Sequence, residues 1–408
     1  MMTVTKHGSS ETVTGNKLRA ILAYALRTAA LLCSNGSLIQ TFLSAIGFSE
    51  QHIYIHASLY QAANVLTILL CARFADTRHV LRRAAMVQIP GALLFLCYLP
   101  FCIMKNAPPA AYLWLIGIGV LQSVTMALHT VCEYKTPYYI YKPEEYGSVL
   151  AVCGILSSVI SFGVGALMRI GSSRYPYPQL MGYAFGISFF FLLMAAVLQF
   201  FQKSLIPLDG AEDREQATQK QEKIPLTVMF RHEAFSHLFA GNLLRGIANG
   251  MTTVLAAAAL SLGYDETLTT AMVSVQSIAI LAGCALFGFL SRRIHARYAI
   301  FGGSICFLVL PLMLIRNTPM LFLVLYAVLM FGRTLIDYAV PSALLYAVPV
   351  EIAGTYNAWR MILHNAGTLL ATTLAGFLPL PLMVGITVVC QLLSGWNFLT
   401  AKIMRRTL

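Results

Sequence analysis

Two nine-residue stretches carry charge where nearly everything around them is apolar: HTVCEYKTP at 129–137 and RTLIDYAVP at 333–341. In each, a basic residue is followed four positions later by an acid, then Tyr, and then Pro four positions after the acid. His129, Glu133, Tyr134 and Pro137 therefore answer to Arg333, Asp337, Tyr338 and Pro341. At i and i+4 the base and the acid share one helical face, close enough to pair. Charge in apolar helices is costly, so two copies in matching places ask for a role. The chemistry open to them is ion pairing, proton exchange or the binding of a charged solute. The plainer alternative is that both stretches cap helices at a membrane surface.

Other charges extend this set. Arg27 and Arg245 each lie some nine residues inside an apolar segment. At 1.5 Å per residue that is about 13 Å deep in a hydrocarbon layer about 30 Å thick. Arg333 also lies inside its segment. A guanidinium facing lipid costs several kcal/mol, so these three are expected to project into a cavity or onto a partner. Three arginines against two acids leave a surplus positive charge, and Arg grips carboxylate and phosphate oxygens bidentately. The pattern favours an anionic or zwitterionic small solute. The rival reading pairs Arg27 with Glu133 and Arg245 with Asp337 as a gate, and the two readings fit different stages of one cycle.

An acid whose Arg is drawn away by a solute is freed to take a proton. That makes Glu133 and Asp337 candidate proton carriers. His129 and His364 rank below them, because a lone His in such a helix is commonly a hydrogen-bonded packing residue. Asn357, Arg360 and His364 follow one another at about one turn and share a face, with Asn365 beside the last. Gln122, Asn249, Tyr134 and Tyr338 complete the residues expected to meet a solute. Interhelical hydrogen bonding is the alternative for the amides, and interface anchoring for the aromatics.

The elements that must position these residues are membrane helices. The chain has 408 residues, 58% hydrophobic and only 11% charged, against about 25% charged in a soluble domain. Twelve segments of about 20 apolar residues are expected, at 18–46, 53–73, 85–104, 110–134, 147–170, 179–202, 236–262, 268–290, 298–315, 319–341, 353–377 and 382–402. The densely charged stretch 203–232 reads as a surface linker between a bundle at 1–202 and a second at 233–408. The first 17 residues lack an apolar core, so no cleaved signal peptide is expected. With both termini placed in the cytoplasm, 21 of the 28 Lys and Arg residues fall on that side, four outside and three (Arg27, Arg245, Arg333) within segments. The net charge of +12 thus follows membrane topology and does not point to nucleic acid.

Nine cysteines are scattered singly, as small apolar fillers with no metal spacing. There is no GK[ST] loop, HExxH or GxSxG, so no ATPase, protease or hydrolase is indicated, nor any cofactor. HEAFSH at 232–237 spaces its histidines five apart and reads as surface.

The halves repeat each other. LR at 26–27 matches LR at 244–245, and IGF at 46–48 matches LGY at 262–264. From Gly47 to Ala72 and from Gly263 to Gly288 the spacing is the same 25 residues, and each stretch then enters a basic loop. YKPEEYG after the fourth segment answers to YAVPVEIAG after the tenth.

Twelve helices in two similar halves, a charged central loop and basic loops after the second and eighth helices resemble the major facilitator superfamily over nearly the whole chain. That family's loop after helix 2 runs Gly, three residues, Asp, then basic residues. Here Ala72 replaces the Gly, Asp76 keeps the acid, and Arg82 and Arg83 supply the basic end; the second half keeps Gly288 but has Arg292 for the acid. The resemblance implies that Asp76 caps a neighbouring helix N-terminus and holds the outward-open state. It also implies that helices 1, 4, 7 and 10 line a central cavity, the four that bear Arg27, Glu133, Arg245 and Asp337. Helix 5 has Gly154, Gly163 and Gly165 but lacks the Gly-Pro pair of the antiporters.

The expectation is an all-α, multi-pass protein of the cytoplasmic (inner) membrane, monomeric, and not an enzyme. It would move a small, anionic organic solute by alternating access in proton symport. The alternatives are an exporter or antiporter of the same fold and a receptor that transports nothing.

Overall fold

The structure, a computed structural model, describes residues 10–33, 37–71, 80–104, 108–133, 136, 140, 141, 143–203, 233–291, 293–315, 318–347 and 350–401. Residues 204–232 of the expected linker at 203–232, Asp76, Tyr134 and Pro137 lie outside the described residues.

The first half comprises α1 (Ser10–Leu31), α2 (Ser37–Ala45), α3 (Glu50–Cys71), α4 (Val80–Leu96, with a 3-10 turn at Leu99–Ile103), α5 (Pro109–Glu133), α6 (Pro143–Ser172) and α7 (Tyr177–Phe200). The second comprises α8 (Glu233–Thr253), α9 (Leu255–Ser261), α10 (Glu266–Leu290), α11 (Ala296–Ile305), α12 (Leu310–Met313), α13 (Pro319–Ala347), α14 (Val350–Ala375) and α15 (Leu380–Thr400). Three of the starts put Pro at the first helical position, where its missing N–H costs nothing.

Taken as broken pairs, α1–α2 and α8–α9 each form one crossing, and α11–α12 another, which gives six crossings per half. Among the described residues nine spans are long and apolar enough to cross, α11–α12 taken as one of them, and a tenth is the α8–α9 pair, bent by 43°. The twelve expected segments include two that fall short of that measure, α1–α2 and α14. Both carry arginine and amides, and both face the other bundle or the space between bundles. A helix there need not be apolar all round.

The internal repeat is visible in the backbone. Gly47 and Gly263 have φ of 97° and 88°, the left-handed region that a side chain resists. Each closes a helix in the same way: Phe48 N–H reaches back to Leu43 O at 3.0 Å and Tyr264 N–H to Ala259 O at 3.2 Å. Each following aromatic then packs on the start of the fourth crossing of its own half, Phe48 on Tyr112 and Tyr264 on Phe322.

The bundles meet along α3 against α14 and α6 against α10. Gly154 of α6 makes the second contact possible. A methyl there would stand 2.5 Å from Tyr338 Oη and 2.3 Å from Cys284 Sγ.

One end of the bundle pair is tied shut. The Gln40 carboxamide of α2 donates to Thr253 O and accepts from Ala257 N–H at 3.1 Å, which satisfies both backbone groups freed by the break between α8 and α9. Thr41 Oγ1 lies 2.9 Å from Thr269 Oγ1. Nearer the centre, Asn365 donates to Asn64 Oδ1 at 2.6 Å.

Candidate functional site

Between the bundles lies a cavity of about 510 Å³. Its lining comes from the end opposite the ties: the middle and second half of α1 (Ala20, Tyr24), the end of α5 (Glu133), the start of α6 (Tyr146) and the second half of α13 (Arg333, Asp337, Tyr338). α14 adds Asn357 and Arg360.

In the first bundle, α1 and α5 bring Arg27 against Glu133 in an ion pair. Arg27 Nη1 also lies 2.7 Å from His129 Nδ1, and its guanidinium sits 5.4 Å from the centre of the Tyr24 ring. Behind this pair runs a chain of buried amides. His129 Nε2 is 3.0 Å from Gln199 Oε1, Gln199 Nε2 donates to Glu133 Oε1 at 3.3 Å, and Gln88 Nε2 donates to Gln199 Oε1. Arg27 Nη1 is also 3.0 Å from His129 Nε2, and His129 Nδ1 is 3.5 Å from Glu133 Oε2, so the imidazole touches both members of the pair. His129, Gln199 and Gln88 are all buried.

In the second bundle, α8 and α13 bring Arg245 against Asp337 in the matching pair. Arg333, which answers to His129, places Nε 3.5 Å from Asp337 Oδ2 and donates from Nη1 to Thr252 Oγ1 at 3.0 Å. Pro341, inside α13, cannot supply the amide that would bond the Asp337 carbonyl. The acid therefore stands where its helix is already weakened.

The arginines and acids divide by depth. The side chains of Arg27 and Arg245 are 12% and 13% exposed, whereas Glu133, Asp337 and Arg333 are 28%, 38% and 27% exposed. Of the three deep arginines, expected in a cavity or on a partner, Arg333 lines the cavity. Arg27 and Arg245 stand behind their acids, each held by a carboxylate of its own bundle.

The remaining expected residues sort in the same way. Tyr338 and Arg360 line the cavity. Asn249 accepts from Thr252 within its own helix. Gln122 is buried in α5 and is not part of the lining. His364 follows Arg360 by one turn of α14, and its carbonyl accepts from Thr368. Sequence reasoning passed over Gln88, Gln199, Tyr24 and Tyr146. A lone Gln within an apolar run, as in AAVLQF, was the available sign for Gln199.

The sequence matches the Major Facilitator Superfamily over residues 20–372. No curated protein matches it. Among solved structures, the fold is similar to a bacterial homologue of the iron transporter ferroportin in an outward-facing state, at 14% identity, 96% of this chain, 99% of that one and a TM-score of 0.68. It is also similar to the D-xylose-proton symporter, at 10% identity, 95% and 97% coverage and a TM-score of 0.70. The nucleoside transporter NupG follows at 13% identity, 95% and 100% coverage and a TM-score of 0.63.

Proposed function

The chain belongs to the Major Facilitator Superfamily, a family of secondary transporters, and on that premise we propose that it carries a small polar solute with a negatively charged end by alternating access, in symport with protons. The observation that carries this reading is the cavity itself. It lies between the two bundles, is walled by Arg333, Arg360, Glu133 and Asp337, and is backed at one end by the ties of Gln40 and Thr41.

The Lys and Arg distribution supports a cytoplasmic-membrane protein with both termini inside. The cavity then faces the cytoplasm. A carboxylate arriving from solution competes with Asp337 for Arg333, whose contact to that acid is the longer of its two. Asp337, relieved of one of its two guanidinium neighbours, takes up a proton more readily. Solute and proton thus favour each other. Each half holds its own charges, so one chain suffices and the transporter works as a monomer.

The test is reconstitution of the purified protein in liposomes. An inward proton gradient should accelerate uptake of an organic anion, and Asp337→Asn should leave exchange but remove the acceleration. Flux indifferent to the gradient would remove the coupling, and flux accelerated only by the opposite gradient would make the protein an exporter. Binding without flux would make it a receptor.

A further inference from the structure

We infer that the solute is a zwitterion with an apolar or aromatic body, its carboxylate held by Arg333 and Arg360 and its ammonium by Glu133. This rests on the transporter reading of the same cavity and narrows it.

Among the described residues the two walls of the cavity differ in net charge: two guanidinium groups and one carboxylate on the second bundle, one carboxylate on the first. On the second bundle α13 and α14 present Arg333 and Arg360, with Asp337 between Arg333 and the recessed Arg245. On the first bundle the charge facing the cavity among the described residues is the Glu133 carboxylate, and its guanidinium partner lies behind it. Arg27 is further fixed by His129 and Tyr24, so it does not swing out to greet an anion.

A simple anion would satisfy the arginine wall while leaving its other face against a carboxylate of like sign. A simple cation would do the reverse. A solute with a negative and a positive end meets both walls at once, and bridging them is what draws the two bundles together. Glu133 has room for that ammonium: each oxygen takes one bond, from Gln199 or Arg27, and keeps a second acceptor site. Between the charged poles the lining is largely apolar or aromatic, with Tyr24, Tyr146, Tyr338, Leu150, Ile280 and Met330. A ring or branched chain fits that middle stretch.

The two acids then part company. Glu133, buttressed by Gln199, stays ionised as the ammonium site. Asp337, sharing Arg333 with the solute, is the one that exchanges a proton.

The experiment uses unmodified full-length protein in detergent and matched triads that share one body. L-phenylalanine, phenylpropionate and phenethylamine form the first triad; L-leucine, isocaproate and isoamylamine form the second. Affinity is read by thermal shift and checked by competition for flux in liposomes. In at least one triad the zwitterion should bind at least about tenfold more tightly than either relative, and Glu133→Gln should erase its advantage over the acid. If Glu133→Gln alone does not fold, Arg27→Gln with Glu133→Gln removes the pair together. An acid that binds as well as its zwitterion overturns this inference and leaves the anion reading intact. An advantage that survives the loss of Glu133 overturns the ammonium site. Binding by the amine alone, or by no member of either triad together with no flux, overturns both.

Discussion

The two halves place the same motif in the same part of the fold and use it differently. In the first, the base four residues before the acid is His129, turned inward onto Gln199 and Arg27. In the second it is Arg333, turned toward the cavity and Thr252. Glu133 is therefore one end of a buried polar chain that reaches Gln88, whereas Asp337 stands between two guanidinium groups beside a proline-weakened stretch of helix. Imidazole for guanidinium at the matching position, together with the amides of Gln199 and Gln88, gives the two half-sites different partners. Pseudo-symmetric repeats thus share a scaffold without sharing a task.

Breaking the first half-site should produce the largest effect. Arg27→Ala leaves Glu133 in a mostly buried setting without its partner, and loss of one member of a buried pair costs about 3 kcal/mol. The melting temperature in detergent should fall accordingly, and Arg27→Ala with Glu133→Gln should recover most of it, as a double-mutant cycle reports. No recovery would mean that Arg27 acts through His129 and Tyr24 instead. In the second half-site, Arg333→Ala should cost binding more than folding. Charge-assisted hydrogen bonds contribute about 1.5–3 kcal/mol, or roughly tenfold to a hundredfold in affinity. If Arg333→Ala destabilises as much as Arg27→Ala while affinity holds, the halves are alike after all.

How far the sequence could lead is plain from these same residues. Counting from the ends of apolar runs set Arg27 and Arg245 deep within their segments, and their pairing with Glu133 and Asp337 was one of the two readings open to them. Azimuth was not legible, since it depends on how helices rotate against neighbours from elsewhere in the chain. That is why a cavity and a partner stayed equally open for Arg27 and Arg245, which stand behind their acids. The turn at Gly47 and Gly263 was legible because only glycine suits its positive φ. Gln88 and Gln199 were hidden because each is ordinary alone and becomes part of the site only through partners on α5. The break between α8 and α9 was hidden for a like reason. The run of Ala and Leu there reads as continuous helix, and what stabilises the opened backbone is Gln40, more than two hundred residues away.

That contact offers the next test, now comparing the two ends of the molecule. Gln40→Ala orphans the Thr253 carbonyl and the Ala257 amide, each buried group costing about 1–3 kcal/mol. Nothing comparable is lost at the cavity end. The population should shift toward conformations open at the tied end, seen as longer spin-label distances across the α2–α10 contact. Unchanged distances would assign closure to the α3–α14 packing alone.

The smallest expected effect compares the caps that follow the two repeated turns. Asp265 caps α10, its carboxylate accepting from Leu268 N–H at 3.0 Å and from the Thr267 hydroxyl at 2.7 Å. Ser49 holds the equivalent place before α3, with His52 N–H at 3.4 Å from its hydroxyl. Removing such a cap costs about 1 kcal/mol. The Thr267 hydroxyl and the Leu268 amide hold the Asp265 carboxyl below its usual range. A group depressed on folding contributes stability above its unfolded value of about 3.9 and loses it as the pH falls through the folded value. The deficit of Asp265→Ala against the unmodified protein should therefore be full at neutral pH and shrink in acid. The deficit of Ser49→Ala should stay level below about pH 5, because a serine hydroxyl does not titrate there. Thermal denaturation of both variants across that range decides it, and parallel curves would mean that the Asp265 charge contributes nothing beyond a neutral hydrogen bond.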